Sequence, residues 1–481
     1  MRRAALLLVL VAGCASDEPD SRPAVRFGLV VDLTGSLAHP QWRDAAELAV
    51  GHANEGLDRA GAGDELRFEI ELADSLNESA IAAERARDLF ARGNEALVVD
   101  TSSNAVEIQR TVYDTRRDND IAAPVLCIAC TSPDLGDPAA TVPNRTEEAT
   151  LRNGERWGFR TSTSSEAEAV LLLQIARSLG DRGDTNRDAT NKIALEIVDD
   201  LEGNGFFRSI ERSRETVYPN LTVERVRHDA EIAVDAHDWN GDLISLTNDR
   251  NEEFGAVDGA SDAIIEFTYP LYAAALSRAY EESEAETPFL HHHNWRHDQT
   301  LIKLSTFSIE GHEGVSHAIV DNCDTSGATF WRAMEARTGR EPSLFDSQAY
   351  DAVMLLALGT IAAMEAHGVS ARDVTRAQLR DALHTVGAID ASDPRHDPDT
   401  EAARVRVEAG PDGFARAVEA IRGGMPVDYV GASGPVDFDE NGNVRGNFVR
   451  YRVDGGRFVD VETYDCVTDP ACPASTGGCG L

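Results

Sequence analysis

The sequence predicts an α/β protein built from two doubly wound units with parallel sheets. Three observations predict it. Short β-rich apolar runs alternate, from Val25 onward, with stretches whose apolar residues recur at helical spacing. The alternation stops near Trp157 and restarts at Ser165, which gives two successive units of similar size. Apolar runs also end abruptly in small hydroxylated residues, as where Val125-Leu-Cys-Ile-Ala129 passes into Cys130-Thr-Ser-Pro133. In open parallel sheets, strand ends of this kind are where ligands sit.

Taken in order, Val25 to Val31 reads as a strand, Asp32 to Ala38 as a polar turn, and Asp44 to Asn54 as a helix with an acidic first turn. Leu66 to Ala73 is a strand, Glu78 to Arg92 a helix, Ala96 to Val99 a buried strand, Ala105 to Arg117 a helix, and Val125 to Ala129 a strand. In the second unit Ser165 to Leu179, Gly205 to Thr216, Asp238 to Asn248 and Leu271 to Glu282 have helical spacing. Between them Lys192 to Val198, Thr222 to Arg227, Ala263 to Phe267 and Pro288 to Leu290 read as strands. Gly180 to Asn191 is polar and without period, a surface loop. Later come helices over Thr329 to Thr338, Ala349 to His367 and Thr375 to Val386, the second apolar almost all round and hence buried. Ala388 to Pro411, rich in Asp, Pro, His and Arg, reads as a solvated insertion. Glu440-Asn-Gly442 reads as the turn of a hairpin between Gly431 to Asp439 and Gly442 to Tyr451.

The chain opens with Met1-Arg-Arg, an apolar stretch from Ala4 to Val11, and Ala12-Gly13-Cys14, the pattern of a bacterial lipoprotein signal. Cleavage before Cys14 leaves that residue as the lipidation site, with residues 14–24 as a tether and the protein anchored outside the cytoplasm. The apolar stretch is too short to span a bilayer, and no other segment approaches spanning length. A net charge of −38 argues against nucleic acid or anionic lipid as a partner. Of the 45 basic residues only Lys192 and Lys303 are lysines, a composition bias. With Cys14 lipidated, six cysteines remain in an oxidising compartment, and six allow fifteen pairings. Cys127 and Cys130 can pair with each other, or one with Cys323, while Cys466, Cys472 and Cys479 cluster in a Pro/Gly/Thr tail.

Several segments, in their order, resemble those of the leucine/isoleucine/valine-type (type I) periplasmic-binding proteins, the substrate-binding subunits of ABC importers. They are Asp32-Leu-Thr-Gly-Ser-Leu-Ala38, Ala129-Cys-Thr-Ser-Pro133, Phe159-Arg-Thr161, Asp199 to Gly205, Tyr350-Asp-Ala352 and Gly431 to Gly442. The resemblance runs from about Val25 to Tyr464. It implies a two-lobe clamp joined by three crossovers near Trp157, Val320 and Val427. Lobe 1 is then residues 25–157 and 322–426, lobe 2 residues 158–321 and 427–464, with the signal at 1–13 and a Cys-bearing tail at 465–481. It further implies a small-molecule ligand, such as an amino acid, amide or small carboxylate, and delivery to an ABC permease, with a ligand-sensing receptor of the same fold that does not feed transport as the alternative. The chain is expected to be a monomer held to the membrane by its lipid, with no cofactor.

Carried over residue by residue, the resemblance assigns a ligand carboxylate to Ser102 or Ser103 and to Ala129 with Thr131, with Ser36 a lesser candidate. Backbone N–H and short hydroxyl donors at a strand-to-helix junction suit an anion. From the second lobe it implies an aromatic platform and an acid for the ligand's ammonium. Here Leu201-Glu202-Gly203 departs from the family's Tyr before Gly, Tyr269 is the aromatic candidate, and His291-His-His-Asn-Trp295 stands where the acid would be. His293 and Asn294 are therefore assigned to the cleft, with Glu202 or Glu266 as substitute acids.

The histidine run also raises a metal-binding lipoprotein or metal-dependent enzyme, centred on His291 to His297, as a reading of another class. Adjacent residues of an extended segment point to opposite faces, so three consecutive histidines cannot all ligate one ion without a sharp turn. The segment is accordingly read as a polar strand end lining the cleft, with no metal assigned. Asp184 to Asp188 lacks the Gly and closing Glu of a calcium loop, and Asp437 to Gly442 lacks the Glu. Cys127-x-x-Cys130 begins inside a buried strand, which suits a structural disulfide or buried thiols rather than redox chemistry. No nucleophile elbow, P-loop or Rossmann glycine fingerprint occurs, so no enzymatic activity is expected.

Overall fold

A computed structural model describes residues 22–35, 38–112, 122–135, 157–180, 183–186, 191–230, 232–247, 260–283, 285–307, 309–320, 325–389, 396–466 and 474–475. The signal segment with Cys14, Ser36, Cys323, Cys472 and Cys479 fall outside them.

The first sheet has the order β2-β1-β3-β4-β5, formed by β1 (Ala24–Val31), β2 (Arg67–Asp74), β3 (Ala96–Thr101), β4 (Val125–Ala129) and β5 (Gly158–Arg160), all parallel. Alternation along β1 sends Phe27, Leu29 and Val31 into one core with the helices Pro40–Arg59 and Asp346–His367, while Val30 joins Ala82, Ala86 and Val106 on the other face. The helix Asp346–His367 has the length and composition to cross a bilayer, yet the protein buries nearly all of it. An all-round apolar helix in a soluble fold is a core helix.

The second sheet is larger. Its parallel part, β7-β6-β8-β9-β10, comprises β6 (Lys192–Val198), β7 (Thr222–His228), β8 (Ala263–Phe267), β9 (Phe289–His291) and β10 (Glu313–His317). An antiparallel extension, β14 (Phe448–Asp454), β15 (Arg457–Tyr464) and β16 (Ala474–Ser475), continues from β10. The sheet is therefore mixed, a parallel part with an antiparallel extension at one edge. A third, three-stranded sheet joins β11 (Val405–Glu408), β12 (Val427–Gly431) and β13 (Gly434–Pro435).

Sheet membership moves two of the expected crossovers. β5 pairs with β4, so the chain leaves the first sheet after Arg160 rather than at Trp157. β12 belongs to the third sheet, and Val427, Tyr429, Val436 and Val444 pack into the first-lobe core, so the last passage lies between Val444 and Phe448. Buried Asp351 holds that sheet in place, accepting hydrogen bonds from Tyr429 Oη at 2.8 Å, Ala432 N at 2.9 Å and Ser433 N at 2.7 Å.

Two local expectations fail for physical reasons. Val405–Glu408 is a strand inside the stretch read as solvated, because the V-R-V-E alternation buries Val407. The hairpin at Glu440 to Gly442 is a closed loop instead. Asp439 Oδ1 accepts from Asn441 N at 2.7 Å and Asn443 N at 2.9 Å, and Gly442 O accepts from Arg160 N at 2.9 Å, so the flanks do not pair as strands. The hairpin forms at Asp454-Gly-Gly-Arg457, where Gly455 and Gly456 take φ of 61° and 71° between β14 and β15. Two successive positive-φ residues make the two-residue turn that matches strand twist.

Candidate functional site

The two lobes meet at the C-terminal ends of β1, β3, β4 and β8. Between them lies a cavity of about 40 Å³, room for only a few waters. The first lobe lines it with His39, Trp42, Thr101, Ala129, Leu344 and Phe345, the second with Glu202, Tyr269, Pro270, His293, Asn294 and His297. Of the residues expected at the site, Ala129, Glu202, Tyr269, His293 and Asn294 line the cavity; Ser102, Ser103 and Thr131 do not.

The reason lies in the loop after β4. Cys127 and Cys130 are joined by a disulfide across the β4 terminus, and Cys466 is disulfide-bonded as well. Ser132 N donates to Ser102 Oγ at 3.2 Å, and Thr131 N to Ala129 O at 3.0 Å. Buried Arg160 donates to Cys130 O at 3.1 Å and Ser132 O at 2.8 Å, and Ser165 donates through N and Oγ to Thr131 O. Burial lowers the Arg160 pKa to about 10. Of the groups assigned to an anion, the Thr131 amide and the Ser102 hydroxyl oxygen are thus already engaged within the loop. Beneath the rim, buried Asp100 accepts from Asp32 N, Ser75 Oγ, Thr101 N and Asn104 Nδ2 at 2.8 to 2.9 Å, which fixes the loops after β1 and β3 together.

Thr131 contributes across the cleft. Its hydroxyl donates to Glu202 Oε1. Glu202 sits in the first turn of the helix Leu201–Val217, whose N-cap Asp200 accepts from Glu202 N at 3.0 Å and Gly203 N at 2.9 Å. The other oxygen of Asp200 accepts from the Tyr269 hydroxyl, so one carboxylate sets both the helix start and the aromatic wall. Burial, with Asp200 adding repulsion, pushes Glu202 up to about 8, so it is a protonated acid near neutral pH.

Across from it, His39 stacks on Trp42 with ring centroids 4.6 Å apart and meets His297 edge-on at 5.4 Å. Burial holds His39 and His293 well below the usual imidazole range, so both are neutral. Among the described residues no lysine or arginine lines the cavity. Phe345 carries φ of 66°, a strained conformation for an aromatic residue, and its ring faces His293. Among the described residues the cavity is therefore a mostly aromatic space with neutral hydrogen-bonding groups and one carboxyl.

The three consecutive histidines point apart. His291 pairs with His312 at 2.9 Å and Glu266 at 3.3 Å, His292 lies against Phe267, and only His293 reaches the cavity, held by Glu168 through N at 2.8 Å and Nδ1 at 2.7 Å. Glu266 is thereby removed as a substitute acid, since it is fully buried away from the cavity. Trp295 is core, stacked on His291 and donating to Ser277 Oγ at 2.9 Å. Sequence reasoning missed His39, Trp42, Thr101, Pro270, His297, Leu344 and Phe345. One signal for the first two was available: His39-Pro40 opens the helix that follows the β1 loop, at the same sheet edge as the residues after β3 and β4.

No family model matches the chain, and no curated protein matches it. Solved structures do. The leucine-binding protein LivK of Thermotoga maritima superposes with a TM-score of 0.60 at 16% identity, over 91% of this chain and 98% of its own. An ABC-transporter solute-binding protein of R. palustris in complex with benzoate gives a TM-score of 0.60 at 16% identity, over 95% of this chain and 100% of its own. The branched-chain amino acid transporter substrate-binding protein LivJ of Streptococcus pneumoniae, in complex with isoleucine, gives 0.60 at 16%, over 91% and 100%. With two α/β lobes, three passages between them and a cavity at the facing strand ends, the chain has the type I periplasmic-binding-protein fold.

Proposed function

We propose that the protein is an extracytoplasmic solute-binding lipoprotein, anchored through Cys14, that closes on a small polar solute and delivers it to an ABC importer. The observation that carries this reading is the cavity between the lobes, lined from both sides and bridged by Thr131 and Glu202. Its volume of about 40 Å³ is below what an amino acid or benzoate needs, so the lobes must part to admit a solute, as a hinged clamp does. The solute contacts fall to Ala129, Glu202, Tyr269, His293 and Asn294, with Thr131 holding Glu202 in place and Ser102 shaping the first-lobe loop. An amino acid, an amide or a small carboxylate fits this set. The fold neighbours that hold isoleucine and benzoate support both an aliphatic and an aromatic body.

A thermal-shift screen of amino acids, amides and small carboxylates tests the proposal. A stabilising solute is expected whose effect is lost in Tyr269→Ala and in Glu202→Gln. A stabilising solute indifferent to both substitutions would put its site elsewhere. No stabilisation by any class would contradict the reading.

A further inference from the structure

Behind the cleft, three buried side chains from three separate elements converge. Glu168 lies on the helix Glu166–Ser178, His293 on the turn His293–Trp295 and His317 at the end of β10. They are 0%, 1% and 2% exposed, and each offers a ligand atom within 4.8 Å of the other two. The geometry points to a divalent transition-metal site here, for Zn²⁺ in the first instance, with Glu168, His293 and His317 as its protein ligands.

Two further observations carry the assignment beyond proximity. His317 Nε2 lies 2.9 Å from Thr163 O, and a carbonyl only accepts, so the ring hydrogen is on Nε2 and Nδ1 is left a bare lone pair. That Nδ1 has no hydrogen-bond partner, although it is buried. A ligating histidine is held in this way, one nitrogen donating to a carbonyl and the other free for the ion. Second, Glu168 is fully buried, and among the described residues its only partner is His293, with no lysine or arginine paired to it. A buried carboxylate wants a cation or several donors, and an ion would supply the first.

His293 completes the set by a change of tautomer. Its Nδ1 is 2.7 Å from Glu168 Oε2, a hydrogen bond along the edge the ion would occupy. Ligation through Nδ1 moves the ring hydrogen to Nε2, which faces Glu202 Oε1 at 3.8 Å. No proton is lost from the imidazole, and the ring hydrogen then points to the cleft side. Two imidazoles and one carboxylate suit Zn²⁺ and its neighbours Cu²⁺ and Ni²⁺ over Ca²⁺ or Mg²⁺, which prefer oxygen.

The test is equilibrium dialysis of the purified, chelator-treated protein against ZnCl₂ with no solute present, metal being counted by atomic emission. About one Zn²⁺ per chain is expected, with His317→Gln and Glu168→Gln each weakening binding about 100-fold or more. Because either variant could unfold, zinc-edge X-ray absorption of the unsubstituted protein is the second measurement. A shell holding two imidazole nitrogens at about 2.0 to 2.1 Å is expected. Substoichiometric zinc, stoichiometric zinc retained by both folded variants, or a shell of sulfur or of oxygen alone would overturn the assignment. Any of these would leave the solute-binding reading untouched, since no solute enters the measurement.

Discussion

Thr131, at the end of a first-lobe strand, donates its hydroxyl hydrogen to Glu202, in the first turn of a second-lobe helix. Around this bond Ser132 Oγ donates to Leu201 O at 3.3 Å and Arg208 pairs with Asp134, so residues 131–134 and 201–208 form one seam that shuts the cleft. Thr131→Val keeps the shape and removes the donor, leaving a buried carboxyl oxygen unsatisfied at a cost of about 1 to 3 kcal/mol. The closed form is expected to be disfavoured by that amount. The check is titration calorimetry with a solute from the thermal-shift screen, where affinity should fall about 10-fold or more; unchanged affinity would show that the bond does not hold the closed state.

Gly205 lies on the same seam. A Cβ there would stand 2.8 Å from Pro133 Cδ and 3.2 Å from Ser132 Oγ, closer than ordinary packing allows. Gly205→Ala is expected to wedge the lobes apart without disturbing either core, and a helix interior favours Ala over Gly by about 1 kcal/mol. Small-angle scattering in the presence of solute should give a larger radius of gyration than the parent, with a thermal midpoint that does not drop. An unaltered radius would mean the helix slides to accept the methyl.

Asp200 is predicted to govern both the helix start and the aromatic wall. Asp200→Ala removes an N-cap, which costs about 1 kcal/mol, and also releases the Tyr269 hydroxyl. Tyr269→Phe removes only the latter contact. The thermal midpoint should therefore fall more in Asp200→Ala than in Tyr269→Phe, and equal losses would argue against the capping role.

Stability of the solute-free protein should decline as pH rises from about 7.5 to about 8.5. Burial holds the proton on Glu202 and Asp346 up to about 8 in the folded state, whereas both are ionised in the unfolded chain above the ordinary carboxylate range. The folded state binds more protons across that window, so it loses ground as pH rises. Burial holds His228, His291 and His292 at about 4 and His317 at about 3, so these are neutral in the folded state; their unfolded counterparts lose protons through about 6.5, which opposes the trend at lower pH and has faded by about 7.5. The decline is on the order of 1 kcal/mol. Denaturant midpoints at pH 7.5, 8 and 8.5 measure it. Asp346→Asn should flatten the slope, and a slope of opposite sign would contradict the protonation states.

The buried parallel strands were the most legible part of the sequence. Lys192 to Val198 and Ala263 to Phe267 were bounded to the residue, because a strand covered on both faces is a continuous apolar run with sharp polar ends. Val405–Glu408 was obscured by the charged residues around it, since an edge strand leaves half its side chains in solvent. The Gly455-Gly456 turn was visible in the sequence and was passed over for Asn441-Gly442, whose flanks are taken by Asp439 and Arg160. In the cleft, Glu202, Tyr269, His293 and Asn294 were reached through the family resemblance. His39, Trp42, His297 and Phe345 were not, because they come to the cavity from loops and helix starts whose meeting is decided by tertiary packing.

In the proposed function the lobes close on a small solute beside Tyr269. Small-angle scattering of the full protein, with and without a saturating solute from the thermal-shift screen, tests it most directly. A smaller radius of gyration is expected on solute addition, absent in Tyr269→Ala. A radius that stays constant in the parent while the solute binds would contradict closure.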